Sequence, residues 1–338
     1  MKFACSSFSW ETKDNKHLLG RTYDQFGNLD GNKIVVIPKD YIINLDNCID
    51  NKNISKTKYA CVGMSILGLK TPILVDGINE NGLMGALLHY PDFAKYNDKF
   101  EDNLININPG FLVTYLLGKC STVEEVVNQV KKVNLISEPV FGKEIPVHYI
   151  FSDSSGETII IEPDENGLSI HRQTIGVLTN SPSYLWHKQN LTNYIGLTNE
   201  ASIPQNIVNF QAFESGITGL RLPGDYSSVS RFVRVALLKE FTVKAKNEID
   251  GITKMFHNFS SVDIPEGVKV VKIPEGDYKG NYYEKTLCMS AMCSESLTYY
   301  CCFSTNRRIS SINLNLEKLN EDIKLFDLPQ EQDISYLN

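Results

Sequence analysis

Short apolar runs separated by turn residues fill the first third of the chain, a pattern that predicts β-strands. Strands are predicted at residues 3–10, at 17–22 after the turn signal Lys13-Asp14-Asn15, and at 33–37, a β-branched run stopped by Pro38. Residues 72–75 and 83–90 flank Asp76-Gly77-Ile78-Asn79-Glu80-Asn81-Gly82, a turn-rich stretch that predicts a hairpin between them. The period then changes. Pro109 can open a helix through Leu117, and Ser121 with Glu124 has capping-box spacing around Val123, Val126, Val127 and Val130, which share one helical face. Two later runs also have helical period: Val229, Phe232, Val233, Ala236, Leu237 and Phe241, then Ile249, Ile252, Met255 and Phe256. Strands are predicted at 148–152 and 157–161 around Asp153-Ser154-Ser155-Gly156, and again at 282–292, 297–303 and 310–314. Strands first, two helical blocks between strand pairs, then strands again indicate the α+β class with antiparallel sheets. Residues 260–271 are the most loop-like stretch, too short to divide the chain.

Composition narrows the function classes. Of 338 residues, 42% are hydrophobic and 22% charged, the proportions of a folded globular enzyme. Lys and Arg number 33 against 40 Asp and Glu, a net charge of −7, which suits neither nucleic acid nor an anionic membrane. A small anionic substrate is compatible with that balance if a few arginines line its pocket. No apolar run reaches the ~20 residues of a membrane helix, and the opening residues lack the apolar stretch of a secretory signal, so a cytoplasmic protein is expected. The cysteines (Cys5, Cys48, Cys61, Cys120, Cys288, Cys293, Cys301 and Cys302) form no C-x-x-C pair and the histidines have no metal spacing. Neither a metal, a cofactor nor a disulfide framework is expected. His171 and His187 read as satisfied imidazoles, and Trp10 and Trp186 as core or pocket wall.

Cys5 alone would be an unremarked thiol. Its setting is more specific: Ser6 and Ser7 leave room around it, and Gly20-Arg21-Thr22-Tyr23-Asp24 stands where the next strand ends. A strand, a turn and a second strand would return Arg21 to the side of Cys5. Arg21 and Asp24 are three positions apart, so a regular strand sets them on opposite faces, and one of them is expected beyond the strand end.

Cys5-Ser6-Ser7 followed by Gly20-Arg21-Thr22-Tyr23-Asp24 resembles the opening of the choloylglycine hydrolases. These N-terminal-nucleophile (Ntn) hydrolases include penicillin V acylases and conjugated bile salt hydrolases. Further matches follow in the family's order along nearly the whole chain. They are Asp76-Gly77-Ile78-Asn79-Glu80-Asn81-Gly82-Leu83, Ile160-Ile161-Glu162-Pro163-Asp164, Val177-Leu178-Thr179-Asn180-Ser181-Pro182, Leu222-Pro223-Gly224-Asp225 and Ser230-Arg231-Phe232-Val233-Arg234. The resemblance implies a four-layer αββα sandwich of two antiparallel sheets. It also implies removal of a short pro-segment, residues 1–4, and a single Ntn-hydrolase domain over residues 5–338.

The same resemblance implies Cys5 as nucleophile, with Arg21, Asp24, Asn180 and Arg231 as the other catalytic residues. Each type suits amide hydrolysis. A thiol needs a base, and a free α-amine with a pKa of about 7.7 to 8 can take its proton near neutral pH. Asn180 can donate to an oxyanion, joined by the backbone N–H after Asn79 or Asn81 or by that of the pocket residue His89. Asp24 can accept from the new α-ammonium, while Arg21 and Arg231 favour the thiolate. Arg234 is expected in a structural ion pair, and Asp225 at a turn capping the helix that follows.

His89 occupies the position where bile salt hydrolases carry Asn and the better-known acylases Tyr, and it matches neither. Its surroundings, residues 82–94, lean towards penicillin V acylase, as do Cys5-Ser6-Ser7, the pro-segment and Ile160-Ile161-Glu162-Pro163-Asp164. Conjugated bile salt hydrolase is the alternative, and an inactive binding protein on the same fold is a third reading. The resemblance further implies a homotetramer acting on a small anionic amide.

Overall fold

Two antiparallel sheets lie face to face in the structure, a computed structural model that describes residues 4–45, 53–140, 142–200, 221–273 and 280–338. Residues 1–3 of the expected pro-segment and Cys48 lie outside the described residues. Among those described, one sheet has 7 strands, in the order Val177–Leu178, Cys5–Glu11, His17–Phe26, Gly280–Cys293, Thr298–Phe303 and Ser310–Asn313. Lys269–Ile273 pairs with the first part of the long Gly280–Cys293 strand. The second sheet has 9 strands, in the order Gly167–His171, Thr158–Asp164, Val147–Ser152, Met84–His89, Asp76–Asn79, Cys61–Ile66, Asn32–Ile37 and Lys324–Phe326, with Ile73–Leu74 also on Cys61–Ile66.

Helices cover both outer faces. Leu112–Lys119 packs on the 9-stranded sheet, where Asn79 Nδ2 donates to Leu117 O at 2.8 Å. Ser228–Phe241 and Glu248–Phe259 cover the 7-stranded sheet, the Phe8 and Phe259 rings meeting at 4.8 Å. The result is the four-layer αββα sandwich. No helix among the described residues is long and apolar enough to cross a membrane, and no group of three or more His, Cys, Asp or Glu there could hold a metal. The seven described cysteines are free and buried.

Three local expectations are corrected. The helix Val123–Val130 is capped one residue later than Ser121: Thr122 accepts from the Glu125 N–H, and the Glu125 carboxylate accepts from the Ser121 N–H at 2.7 Å. Asp153 fixes that start by accepting from the Val123 N–H at 2.6 Å. The hairpin before Met84–His89 is built by Asp76–Asn79, part of the predicted turn, whereas Ile73–Leu74 pairs with Cys61–Ile66. Gly82 closes that turn at φ +82, where a Cβ would lie 2.5 Å from Ser294 O. Trp10 is buried, but Trp186 is 45% exposed on the first turns of its helix and lines no core.

The faces of the strand His17–Phe26 set the geometry of everything near Cys5. A Cβ on Gly20 would stand 2.5 Å from Met255 Sδ and 2.9 Å from Phe259, so Gly20 points at the helix layer. With period two, Thr22 and Asp24 point the same way, while Arg21 and Tyr23 point between the sheets. Arg21 and Asp24 therefore occupy opposite faces, and both lie within one continuous strand. The expectation that one of them lay past its end was wrong. The site does not need them on one face, because it is built around a strand end.

Candidate active site

Cys5 opens the strand Cys5–Glu11 and pairs with Tyr23. Its side chain points inward beside Arg21, and its nitrogen lies at the strand end, where groups from both faces can reach it. Arg21 is fully buried and spreads its guanidinium over four acceptors. Nη2 donates to Cys5 Sγ at 2.8 Å, Nη1 to Val75 O at 3.0 Å and Leu87 O at 3.1 Å, and Nε to Thr22 O at 3.2 Å. The guanidinium also lies over the Tyr23 ring, 4.9 Å from its centroid. Behind it sits Asp76, 3.8 Å from Nε, which accepts from Tyr299 Oη at 2.7 Å and Ser290 Oγ at 2.8 Å.

The nitrogen of Cys5 donates to Asn180 Oδ1 at 2.9 Å. The same oxygen accepts from Arg231 Nη2 at 2.7 Å, and Asn180 Nδ2 donates to His89 O at 2.7 Å. Two donors on one side and a carbonyl on the other leave a single orientation for this amide. One Nδ2 hydrogen is used by His89 O, and the second is left to donate to another acceptor. The backbone donors expected beside Asn180 are used elsewhere: the Glu80 N–H donates to Ala60 O and the Gly82 N–H to Asn79 O, each at 2.9 Å, while the Asn79 side chain donates to Leu117 O and Cys120 O.

Arg231 comes from the outer helix Ser228–Phe241. Its Nη1 donates to Cys5 O at 2.6 Å and Ser6 Oγ at 2.7 Å, and its Nε to Tyr226 O at 3.1 Å. Asp24, on the helix-facing side, accepts from Thr286 Oγ1 at 2.7 Å and Thr22 Oγ1 at 3.1 Å. Arg21, Asp24, Asn180, Arg231 and the backbone carbonyl of His89 are thus gathered around Cys5. Arg234 departs from its expected ion pair. It donates instead to the carbonyls of Pro223 at 2.6 Å and Asp225 at 2.7 Å, while the Asp225 carboxylate accepts from the Ser227 N–H and Ser230 Oγ.

Burial sets the electrostatics. It pushes the Cys5 thiol up, against the opposing pull of the Arg21 guanidinium, so the thiol holds its proton and a base is needed to form the thiolate. Burial lifts the Asp24 carboxyl to about 6, although Arg231 and the Thr286 hydroxyl oppose it. It also raises Asp76, against Arg21 and the Tyr299 hydroxyl. Burial acts to neutralise Arg21 too, but Cys5 and Asp76 outweigh it and keep the guanidinium charged.

Several partners were not singled out in the sequence. Glu284, buried on the long strand Gly280–Cys293, accepts from the Ala4 N–H at 2.6 Å and faces Lys269 Nζ at 2.7 Å. No local pattern marks it, since the contact spans 280 positions. In the sequence Asp76 reads only as part of a turn. His148 and Glu162 were within reach: continuing the predicted hairpin one pair beyond Tyr149↔Ile161 sets them opposite each other.

The description "linear amide C–N hydrolases, choloylglycine hydrolase family" matches residues 5–329. A bile salt hydrolase/transferase of Clostridium perfringens is 31% identical, the match covering 99% of this chain and 100% of that one. A bile salt hydrolase/transferase of Lactiplantibacillus plantarum is also 31% identical, covering 98% of each. Among solved structures, a variant of the conjugated bile acid hydrolase from Clostridium perfringens superposes with a TM-score of 0.88 at 30% identity, covering 99% and 100% of the two chains. Penicillin V acylase from Agrobacterium tumefaciens superposes at 0.70 with 20% identity, covering 95% and 90%, a likeness of fold alone.

Proposed function

This chain belongs to the choloylglycine hydrolase family of linear amide C–N hydrolases, and from that premise we propose that it hydrolyses conjugated bile salts with Cys5 as an N-terminal nucleophile. The ranking that put penicillin V acylase first is thereby reversed. What supports the bile-salt reading is full-length similarity above 30% to proteins named for that activity, whereas the acylase shares 20%. His89, which has neither branch's residue, does not weigh against it. Penicillin V becomes the second substrate to test.

In the proposed mechanism, removal of residues 1–4 frees the Cys5 α-amine. That amine takes the thiol proton, and the thiolate attacks the amide carbon while Arg21 Nη2 stays on the sulfur. Negative charge develops on the amide oxygen, and the spare Asn180 Nδ2 hydrogen is the donor placed for it. The α-ammonium returns its proton to the leaving nitrogen, releasing glycine or taurine, and the acyl group remains as a Cys5 thioester. Water, deprotonated by the same α-amine, then attacks the thioester to release the carboxylate and restore the thiol. Asn180 Oδ1 and Asp24 hold the α-nitrogen between these roles. The observation that carries this mechanism is the meeting of the Cys5 nitrogen with Asn180 Oδ1 and of its sulfur with Arg21 Nη2.

The test is parallel hydrolysis of glycocholate and penicillin V by purified enzyme, together with intact-mass measurement. Preferential release of glycine by molecules that begin at Cys5 is expected. Faster release of phenoxyacetate would restore the acylase reading, and persistence of residues 1–4 on active molecules would remove the α-amine from its role. Sedimentation of the same preparation tests the assembly of four chains that family membership suggests.

A further inference from the structure

Asn180 does not hold itself in place. It follows the two-residue edge strand Val177–Leu178, and its carbonyl and that of Thr179 are each met by an imidazole. His148 Nε2 lies 3.0 Å from Thr179 O, and His187 Nε2 lies 2.9 Å from Asn180 O. A carbonyl only accepts, so both Nε2 atoms carry hydrogen. The two rings arrive from different layers. His148 stands on the strand Val147–Ser152 of the opposite sheet, while His187 stands on the helix Tyr184–Asn190. Both are completely buried. The Tyr90 ring stacks on His148 at 4.3 Å and the Phe232 ring on His187 at 4.5 Å, so neither imidazole is free to turn.

Behind His148 is Glu162, 3% exposed. One carboxylate oxygen lies 3.2 Å from His148 Nδ1 and accepts from the Tyr184 N–H at 2.9 Å, and the other lies 3.1 Å from His171 Nε2. Burial would raise the Glu162 carboxyl, but the hydrogen bonds of His148 and His171 outweigh it and hold it at about 2. A carboxylate that also orients Tyr184 at the head of the His187 helix ties both imidazoles to one anchor.

We propose that His148 is a positioning residue for amide hydrolysis: backed by Glu162 and paired with His187, it clamps the Thr179 and Asn180 carbonyls and so fixes the Asn180 amide between the Cys5 nitrogen, Arg231 and His89 O. The inference rests on Cys5 being the nucleophile. A satisfied core histidine would need one partner for each nitrogen and nothing more. Here the partner of Nε2 is the peptide that carries the candidate oxyanion donor, and two separate rings grip consecutive carbonyls of it. Displacement of a catalytic group by about 1 Å can cost on the order of 100-fold in rate.

Two reactions at one sulfur separate this role from a merely structural one. Acylation of mature protein by p-nitrophenyl acetate passes through an oxyanion, whereas alkylation by iodoacetamide does not. His148→Phe keeps a ring against Tyr90 and removes both ring nitrogens, and His148→Gln returns an amide N–H within reach of Thr179 O. In His148→Phe, acylation is expected to fall about 10- to 100-fold with alkylation changed less than about twofold, and His148→Gln is expected to recover most of the loss. Unchanged acylation, an equal fall in both rates, or a Gln variant that regains thermal stability without acylation overturns the clamp. Should His148→Phe not fold, Glu162→Gln reads the same anchor, and acylation equal to wild type there overturns it as well. Adduct mapping keeps the two readings apart: label on another side chain removes the Cys5 mechanism and this inference with it, whereas label on Cys5 with unaltered rates removes only the clamp.

Discussion

Replacing Arg21 by Lys keeps the positive charge and removes the fork that carries it. The guanidinium reaches four acceptors lying in different directions: Cys5 Sγ, Val75 O, Leu87 O and Thr22 O. An ammonium group offers three hydrogens from a single point and cannot span a sulfur on one sheet and two carbonyls at the other. Drawn towards Asp76 and the two carbonyls, it will leave the thiol. A hydrogen bond to a charged partner contributes about 1.5–3 kcal/mol. At about 1.4 kcal/mol per decade, the thiolate fraction at fixed pH falls roughly 10- to 150-fold. At least one buried acceptor is also left without a donor, which costs about 1–3 kcal/mol of stability. The assays are the rate of iodoacetamide alkylation of the mature protein from roughly pH 6 to 9, and urea unfolding of the same samples. A folded Arg21→Lys protein alkylated at the wild-type rate across that range refutes the reasoning, because the sulfur would then owe nothing to this contact.

Further outcomes follow from buried groups. Asp24 titrates near 6, so hydrolysis that uses its carboxylate will show an acid limb near that pH, and Asp24→Asn will lose the limb; an unchanged limb assigns it to another group. For stability the sign is reversed: between about 3.8 and about 6 the native state keeps a proton that the unfolded chain has released, so this carboxyl favours folding on the acid side and its contribution is lost as pH rises. His187 behaves oppositely, since burial lowers it from 6.5 to about 4. Its contribution is present above 6.5 and declines as pH falls towards 4, and urea titrations across that window should show stability falling less steeply with acid in His187→Gln. Tyr299→Phe removes the phenol that donates to Asp76 at 2.7 Å. A loss of about 1.5–3 kcal/mol in urea unfolding is expected, and a loss under about 0.5 kcal/mol, the range of an ordinary surface change, would mean that Asp76 is satisfied without it.

Much of the site was legible because its residues sit in short motifs with chemically costly members. A Cys near the chain start, Arg21 and Asp24 in Gly20-Arg21-Thr22-Tyr23-Asp24, and Arg231 in Ser230-Arg231-Phe232-Val233-Arg234 are visible without coordinates. The strand period even gave the correct opposite faces for Arg21 and Asp24, and the error lay in assuming that a site must use one face. Contacts that cross between layers were less accessible. Glu284 meets Ala4 through a chain separation that no local pattern encodes, and Asp76 reads as a turn acid until Tyr299 and Ser290 arrive from the other sheet. His148 and Glu162 were one register step from recognition. The turn at residues 76–82 was overextended because Asp, Gly and Asn there are strand residues under close backbone packing.

Arg21 bonds across to Val75 and Leu87, Asn180 to His89, and Tyr299 and Ser290 to Asp76. The distances from Cys5 and Asn180 to these partners are therefore set by the spacing of the sandwich itself. Sliding one layer over the other by a fraction of an ångström would misalign all of these contacts together. Catalytic competence and global cooperativity are then one property: on heating, turnover will disappear in the same transition as tertiary structure, with no earlier inactive plateau, and ligands that bridge the layers will raise both midpoints in step.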